Sequence, residues 1–436
     1  MEFKESKNKI INKENTSSKK NVWIFHHYAT PPSMNGFTRP FDFGVKLEDY
    51  DYSTTIFAAS YLHFTEENLI KDDSLYIEDR KSGIPFVFIN TPGYAGSGKK
   101  RVVNMVTYYR NLFKTTKGYG KTHEKPDIII ASSPHPLTMI AGIKIAKKYN
   151  IPCICEIRDF WPEVFFMGDK LKKDSLIGRI LLKGENWIYK KADGIIFLKE
   201  GDINYLSENA WDKPSGGNVD LDKCWYINNG VDIEKFNQQI ESEKLDDPDL
   251  ESDKFNIVYT GAIRPVNNID NILDTAALLK DQKDIQFLVY GQGNMLDDLK
   301  KRVKDEGLSN VKMKGYVDKK NIPYILSKSS VNLLNYSGTQ YNWSRGNSSN
   351  KLFEYMASGK PIISTVEMGY SPIEKYDCGI SLEESTPQAL KKAILEIYNM
   401  DEGVYRKMGE NGRLGAKEFD YGELTKKLKK VIDNYT

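Results

Sequence analysis

The sequence has few of the residues that cross-link chains or bind metals, and its charges almost cancel. Only four of its 436 residues are cysteines and five are histidines, while 62 Lys and Arg face 60 Asp and Glu. A net charge of +2 gives no reason to expect a nucleic acid partner. Cys153 and Cys155 alternate with apolar residues in 151–155, which predicts buried thiols of a strand rather than a disulfide or metal site. Unpaired thiols suit a reducing, cytoplasmic environment.

Long hydrophobic runs are also missing. No apolar stretch approaches the roughly 20 residues that a helix needs to cross a bilayer, so we expect any membrane contact to be peripheral, on the cytoplasmic face. Residues 1–20 carry six lysines and no apolar core, which predicts a disordered polar tail rather than a signal peptide. With 40% hydrophobic residues, the chain still has ample material for a core, and its length is typical of two domains.

Short apolar strands alternate with amphipathic stretches in two series. The first series of predicted strands comprises 21–26, 53–58, 86–90, 127–132, 153–157 and 194–198. The second comprises 256–259, 285–290, 311–314, 331–334 and 361–364. Buried strands alternating with helices predict parallel sheets covered on both faces. We therefore expect an α/β protein of two Rossmann-like, doubly wound domains that face each other across a cleft, with ligands at the carboxyl ends of the strands.

The break between the two series predicts the domain boundaries. Turn residues at 228–232 precede the strongly acidic stretch 241–253, which has little apolar periodicity. This composition predicts a linker between two domains. We place the tail at 1–20, the N-terminal domain at 21–235, the linker at 236–254, the C-terminal domain at 255–415, and a last helix, packing back on the N-terminal domain, at 416–436.

The most informative motif is the stretch 346–364. Gly, Ser and Asn lead into a short predicted helix, 351–358, which Gly359 ends. Such a helix start presents unpaired N–H groups and a positive dipole end that bind phosphate, and Lys351 adds a full charge. Glu354, one turn further on, could accept hydrogen bonds from sugar hydroxyls. An ordinary capped helix is the alternative.

Other motifs are weaker. The loop after the first strand, 26–39, is rich in Pro, Ser and Gly, so its backbone at Gly36 could approach a ligand, with Arg39 one turn beyond; a plain loop is the alternative. The stretch 93–99 resembles a P-loop, but Lys100 stands where magnesium needs a hydroxyl. Three Asp-x-Asp pairs, at 49, 220 and 247, lie at no convincing strand end, so we expect no metal and no cofactor.

Taken together, the motifs resemble the retaining glycosyltransferases of family four, which have the GT-B architecture, over nearly the whole chain beyond the tail. The motifs that carry the resemblance are 32–39, 155–163, 227–232, 259–261, 310–317 and 346–364. The Arg-Asp-x-Trp-Pro-Glu string at 158–163 looks most like the subgroup that transfers N-acetylated amino sugars in bacterial O-antigen and capsule synthesis.

The resemblance implies a set of donor contacts. Glu354 corresponds to the second glutamate of the family's E-x7-E pair and would bind the ribose, whereas the first glutamate falls at Gly346. The cations that neutralise the donor diphosphate in much of the family fall at Ala262 and Asn267, which leaves Arg264 and Lys351 as substitutes. The full set of implied donor-binding residues is Gly36, Gly261, Arg264, Tyr316, Val317, Asn350, Lys351, Leu352 and Glu354.

The resemblance also implies catalytic and acceptor residues in the N-terminal domain. Arg158 and Asp159 stand where many relatives carry His-Asp beside the donor sugar, and with Arg264 they form the predicted catalytic set. Arg39, His135 and Trp161 form the predicted acceptor set. Residues 99–148 contain eleven Lys and Arg against two acids. This excess is either a solvated helix face or a surface attracted to an anionic membrane.

The implied activity is metal-independent transfer of a sugar, with retention, from a nucleoside diphosphate donor. We expect uridine as the base and a glycan or a polyprenyl-diphosphate-linked molecule as the acceptor, at the inner membrane surface. Two alternatives stay open. One is a nucleotide-sugar epimerase of the same architecture, and the other is a non-catalytic partner of a transferase.

Overall fold

The computed structural model describes residues 19–34, 36–94, 96, 98–167, 171–339 and 341–436. The predicted tail therefore lies almost entirely outside the described residues, as do Ala95 and Ser97 of the P-loop-like stretch. The strands of the N-terminal sheet are β1 Lys20–His26, β2 Tyr52–Ala59, β3 Tyr76–Asp79, β4 Phe86–Ile89, β5 Ile128–Ser132, β6 Cys153–Ile157, β7 Gly194–Phe197 and β8 Cys224–Tyr226. Those of the C-terminal sheet are β9 Phe255–Thr260, β10 Ile285–Tyr290, β11 Val311–Gly315, β12 Val331–Leu334, β13 Ile362–Ser364 and β14 Gly379–Ser381.

Helices connect the strands and cover both sheets. The first seven are α1 Arg39–Leu47, α2 Lys99–Thr122, α3 Pro136–Tyr149, α4 Glu163–Phe166, α5 Leu176–Lys191, α6 Asn204–Glu208 and α7 Ile233–Ser242. The others are α8 Ile269–Leu278, α9 Leu296–Asp305, α10 Ile322–Ser327, α11 Asn350–Ser358, α12 Pro372–Lys375, α13 Pro387–Tyr398, α14 Glu402–Ala416 and α15 Tyr421–Asp433. In the described part of the chain, no helix is both long and apolar enough to cross a bilayer.

Both sheets have the doubly wound order that the alternating pattern predicts. The N-terminal sheet runs β3-β4-β2-β1-β5-β6-β7-β8, with β3 antiparallel to β4 and the other pairs parallel. The C-terminal sheet runs β11-β10-β9-β12-β13-β14 and is parallel throughout. The first strands of the two domains, β1 and β9, lie inside their sheets, so the loops that follow them open at the carboxyl edge where ligands bind. The predicted fold class is confirmed.

The acidic segment predicted as a linker is folded onto the C-terminal domain. Helix α7 begins after Asp232, whose carboxylate accepts a hydrogen bond from the Lys235 amide at 3.0 Å. Its Phe236 is buried in the apolar core of that domain. Further on, the buried Asp247 carboxylate lies 2.6 Å from the Lys314 ammonium. The sequence did not indicate this structure, because Lys314, which pairs with Asp247, lies 67 residues further along the chain.

The chain returns to the N-terminal domain at its end. The Val231 amide donates to the Phe419 carbonyl at 3.0 Å, and the Tyr421 amide donates to the Val231 carbonyl at 3.1 Å. The buried face of α15, which includes Leu428 and Val431, shares an apolar cluster with strands β1 and β2. The two domains are thus joined by two chain crossings, which limits how they move relative to each other.

Candidate active site

Three cavities lie along the cleft between the domains, and the predicted residues are distributed among them. The first, about 170 Å³, is lined by Gly36, Asn350 and Glu354 among others. The second, about 670 Å³, is lined by Asp159 and Trp161. The third, about 380 Å³, is bordered by Tyr316. The first cavity thus brings Gly36 of the N-terminal domain together with Asn350 and Glu354 of the C-terminal domain, whereas Asp159 and Trp161 lie at the second.

Helix α11 starts at the cleft without a side-chain cap. Ser349 stands at its N-cap position, but the Ser349 hydroxyl accepts no hydrogen bond from the first turn. The first backbone N–H groups of any helix lack intrahelical acceptors, so this end attracts an anion. Asn350 is exposed at the first cavity, whereas the Leu352 side chain is buried in the core of the domain. Leu352 could thus contact a donor only through its backbone.

The ammonium of Lys351 is buried and has no counterion among the residues that the structure describes. Its ammonium lies 4.7 Å from the ring centre of Tyr259 and 4.2 Å from that of Tyr336. It makes no hydrogen bond to any described residue. Burial lowers the pKa of Lys351 from 10.5 to about 7. A phosphate at this point would supply the missing negative charge and favour the protonated form.

Glycines let the loops after β9 and β10 approach this cation. Gly261 has φ +146°, and a Cβ there would lie 3.7 Å from the Lys351 ammonium. A Cβ on Gly291, which has φ +152°, would overlap the Gly261 carbonyl oxygen, and one on Gly293 would overlap the Ile263 carbonyl oxygen. Gly291 and Gly293 thus let the loop after β10 pack closely against the loop after β9.

Arg264 lies at the same edge and faces the N-terminal domain. It directly precedes the short turn Pro265–Asn267, is exposed, and has no ion-pair partner among the described residues. Burial lowers the pKa of His63, a residue of the second cavity, and the positive charges of Arg101 and Arg264 lower it further. Arg264 itself lines none of the three cavities, so its contact with a donor stays a prediction.

Glu354 faces the first cavity from the second turn of α11. Its carboxyl is half-buried, and burial raises its pKa, while the nearby Lys319 acts in the opposite sense. Tyr316 is exposed at the third cavity, and Val317 packs against the core of the C-terminal domain. Lys319 lines both of these cavities, so it connects the position of Glu354 with the loop that contains Tyr316 and Val317.

On the N-terminal side, Arg158 and Asp159 directly follow β6. The Arg158 guanidinium lies 3.8 Å from the Glu156 carboxylate and 5.4 Å from the ring centre of Phe37. Burial lowers the pKa of Arg158. The Asp159 carboxylate is exposed and lines the second cavity together with Trp161. Of the predicted pair, Asp159 is therefore the residue that a substrate in this cavity would meet.

Arg39 does not present its guanidinium to any of the three cavities. The side chain is 4% exposed and donates to Glu156 Oε2 at 2.9 Å and to the Ile227 carbonyl at 2.8 Å. It also donates to the Asn228 carbonyl. Arg39 thus fixes the loop after β8 to strand β6, and its placement gives no support to the predicted contact with an acceptor.

His135 is likewise occupied inside the domain. Its Nε2 lies 2.6 Å from His27 Nδ1, and His27 Nε2 lies 2.7 Å from Asn104 Oδ1. Burial lowers the pKa of His135 to about 3, so the ring is neutral at physiological pH. His135 does not line the second cavity, although its neighbour Pro134 does. A direct acceptor contact by His135 gains no support from this position, because the ring points into the core.

Sequence reasoning missed the cation that ties the two domains at the second cavity. Arg345 is 3% exposed and donates two hydrogen bonds to the Glu163 carboxylate, at 2.7 and 3.0 Å, and two to the Glu208 carboxylate. Its guanidinium also lies 5.2 Å from the ring centre of Phe160. The glutamate of the Arg-Asp-x-Trp-Pro-Glu string is therefore an interdomain ion-pair partner. The position of Arg345 directly before Gly346 is the one feature of the sequence that could have indicated this ion pair.

Gly346 adopts a backbone conformation that excludes the missing glutamate. Its φ is +102°, and an added Cβ would lie 3.3 Å from the Gly369 carbonyl oxygen. We expect Gly346→Ala to destabilise the fold by about 1–3 kcal/mol, because a side chain is strained in this conformation. Thermal unfolding measures the effect. The matched control is Gly184→Ala in α5, where an added Cβ meets no atom within 4 Å; it should leave stability equal or higher. Equal melting temperatures for Gly346→Ala and the wild type would contradict the prediction.

Residues 241–415 match the family model described as glycosyl transferases group 1. The matched residues span the C-terminal domain and include Lys351 and Glu354 of α11. The chain is 26% identical over 332 residues to an uncharacterized glycosyltransferase of Methanocaldococcus jannaschii, an alignment that covers 75% of this chain and 81% of that relative.

Two further relatives are also glycosyltransferases. A protein of Pseudomonas aeruginosa described as a probable glycosyltransferase, WbjE, is 22% identical over 279 residues, which cover 63% of this chain and 67% of that protein. The poly(ribitol-phosphate) alpha-N-acetylglucosaminyltransferase of Staphylococcus aureus is 24% identical over 228 residues, which cover 50% of this chain and 40% of that enzyme.

Solved structures confirm the GT-B architecture over both domains. Anabaena HepE, crystallised in complex with UDP, aligns with a TM-score of 0.66 and 12% identity over 95% of this chain and 100% of HepE. WaaG, a glycosyltransferase involved in lipopolysaccharide biosynthesis, aligns with a TM-score of 0.63 and 12% identity over 95% of this chain and 99% of WaaG.

Proposed function

We propose that this protein transfers a sugar, with retention of anomeric configuration, from a nucleoside diphosphate donor to a glycan or lipid-linked acceptor in surface polysaccharide synthesis. The observation that carries the proposal is the start of α11. There the first turn of α11 lacks a side-chain cap, the buried ammonium of Lys351 makes no hydrogen bond to any described residue, and Glu354, one turn further on, lines the first cavity. The name of WaaG, which is involved in lipopolysaccharide biosynthesis, supports the polysaccharide role, and that of the Staphylococcus enzyme supports an N-acetylated amino sugar.

The site offers a place for each part of the donor. The diphosphate would meet Lys351, Arg264, Gly261 and the first turn of α11, and Gly36 would approach it from the opposite domain. Glu354 would hold the ribose hydroxyls. Backbone groups at 316 and 317 would read the base, for which uridine is our choice; the UDP bound to HepE is consistent with it. The sugar would then reach toward Asp159 in the second cavity.

The proposed reaction needs no protein nucleophile. The bond from the anomeric carbon to the phosphate oxygen breaks, and negative charge develops on the departing diphosphate. Arg264, Lys351 and the helix N-terminus would stabilise that charge. The acceptor oxygen bonds to the same face of the anomeric carbon, and its proton passes to the departing phosphate oxygen. Double displacement through Asp159 is the competing route.

Donor hydrolysis tests the proposal directly. The purified protein should slowly release free sugar from a uridine-diphosphate sugar, without epimerisation at C2, and at the same rate in EDTA. We propose metal independence because the site supplies its own cations; no group of three or more potential metal ligands occurs among the described residues. Epimerised nucleotide sugar would instead identify an epimerase. Nucleotide binding without any turnover would indicate a non-catalytic partner, and loss of activity in EDTA would contradict metal independence.

Glu354→Ala should weaken nucleotide binding without unfolding the protein. A hydrogen bond to a charged group is worth about 1.5–3 kcal/mol, so the dissociation constant for uridine diphosphate should rise roughly tenfold to 150-fold. Isothermal titration calorimetry measures it. The matched control is Glu396→Ala, which removes an exposed carboxylate from α13 of the same domain and should leave binding unchanged. Wild-type affinity in Glu354→Ala would remove this residue from the site.

A further inference from the structure

One layer of the N-terminal domain is far more basic than the chain as a whole. Helix α3 packs against both α2 and α5. Seven Lys and Arg lie in α2, three in α3 and four in α5, which makes fourteen in these three helices. Their single carboxylate, Glu185, is buried. Since the net charge of the protein is only +2, this basic helix layer concentrates a positive field on one side.

Exposed aliphatic side chains line one end of the basic helix layer. On the first turns of α5, Leu176 is 77% exposed, Ile177 61% and Ile180 58%. The full set, which we term the apolar rim, is Val102, Val103, Val164, Met167, Leu176, Ile177, Ile180 and Leu181. Apolar residues scattered singly on a surface need no explanation, but Leu176, Ile177, Ile180 and Leu181 lie on successive turns of one helix face, and a contiguous exposed group of this kind indicates an interaction site.

The topology places the apolar rim beside the second cavity. In a parallel βα unit each helix begins at the carboxyl edge of the sheet, so the first turns of α2 and α5 both lie at that edge, on either side of α3. Val164 and Met167 themselves line the second cavity, and so does Arg101 in the first turn of α2. The Leu171 amide donates to the Phe165 carbonyl at 3.3 Å, which ties α4 to the segment before α5.

We propose that the basic helix layer and the apolar rim dock on an anionic lipid bilayer. The aliphatic tips enter the interface while the lysines and arginines meet anionic headgroups, as in other interfacial helices. A free polyanion such as nucleic acid accounts for the lysines but gives no role to exposed Leu and Ile. The bilayer accounts for both. Docking would bring the mouth of the second cavity to the membrane surface, where a lipid-linked acceptor would enter.

Vesicle co-sedimentation tests this proposal. The wild-type protein should bind vesicles of phosphatidylglycerol and phosphatidylethanolamine, bind phosphatidylcholine vesicles at least tenfold more weakly, and lose binding as salt rises. The double variant Ile177→Gln, Ile180→Gln should bind the anionic vesicles about tenfold or more weakly, because two apolar side chains no longer enter the interface. Lys114→Glu with Lys117→Glu, on the exposed face of α2, should weaken binding roughly fivefold or more for each residue.

The matched control lies on the other domain. Val404→Gln with Leu414→Gln replaces two similarly exposed aliphatic side chains of α14, 53% and 60% exposed, and should bind vesicles like the wild type. All variants should keep the wild-type melting temperature, since every substituted side chain is exposed. Three results would each overturn the proposal. They are wild-type vesicle binding by the Ile177→Gln, Ile180→Gln variant, an equal loss of binding in the Val404→Gln, Leu414→Gln control, and absence of vesicle binding by the wild-type protein. Tight binding to heparin or DNA without vesicle binding would assign the surface to a polyanion.

This inference deepens the proposed function, and the two can fail separately. Vesicle binding requires no turnover, so it stands or falls without the donor site. Donor hydrolysis in solution should be equal in the wild type and the Ile177, Ile180 variant, because neither residue lines a cavity of the cleft. If the wild-type protein binds vesicles but does not hydrolyse the donor, the proposed transferase activity is contradicted and the proposed membrane docking still stands.

Discussion

Arg264→Ala is expected to lower kcat for sugar transfer or donor hydrolysis by about 100-fold while the KM for the donor changes less. The guanidinium is exposed at the carboxyl end of β9, beside the cleft, and it has no ion-pair partner among the described residues. Charge on the diphosphate grows as the sugar departs, so a cation there acts more on the transition state than on the bound donor. Steady-state kinetics with a uridine-diphosphate sugar measures both parameters.

Two further variants sharpen the test of Arg264. Arg264→Lys should recover only part of the rate, because a point charge lacks the bidentate fit of guanidinium to phosphate oxygens. Arg406→Ala removes an exposed arginine from α14 and should leave kcat unchanged. Near-normal turnover in Arg264→Ala would mean that Lys351 and the helix N-terminus suffice, and the assignment of Arg264 would be wrong.

Lys351 is expected to make donor binding depend on pH. Its pKa in the free protein is lowered to about 7 by burial, so the side chain is largely neutral at higher pH. A bound diphosphate favours the ammonium and raises that pKa, so binding above pH 7 takes up a proton. The affinity for uridine diphosphate should therefore fall between about pH 7 and pH 9, by as much as tenfold per pH unit. Below about pH 7 the lysine is already protonated, and its contribution to the pH dependence ends.

Calorimetry in buffers of different ionisation enthalpy measures this proton uptake together with the affinity. In Lys351→Met the ring-lined space stays filled but no charge remains. This variant should bind uridine diphosphate more weakly near pH 6.5 and show no further loss from about pH 7 to pH 9. Affinity that does not change over this range in the wild type, or an equal slope in Lys351→Met, would show that Lys351 does not meet the diphosphate.

The sequence by itself determined the architecture and the helix on which the donor site is proposed. Strand and helix periods depend on neighbouring residues, so spacing predicted eleven of the fourteen strands in the described residues and the two doubly wound sheets. The short strands β3, β8 and β14 were not predicted. Helix α11 was predicted with its C-terminus at Gly359, which indeed adopts φ +70°. The phosphate-binding character of its N-terminus is also a backbone property, which needs no distant contact.

Only the tertiary structure decided what surrounds each charged side chain. The ammonium of Lys351 is buried because the rings of Tyr259 and Tyr336, which are distant in the sequence, pack against it. Arg39 forms an ion pair with Glu156 and donates to a carbonyl of the loop after β8. Arg345 forms an ion pair with Glu163 across the cleft. The spacing of apolar and turn residues along the chain determines where a helix begins, and so the direction of its backbone dipole. It does not set which charges are buried or paired, because those partners come together only when the two domains fold against each other.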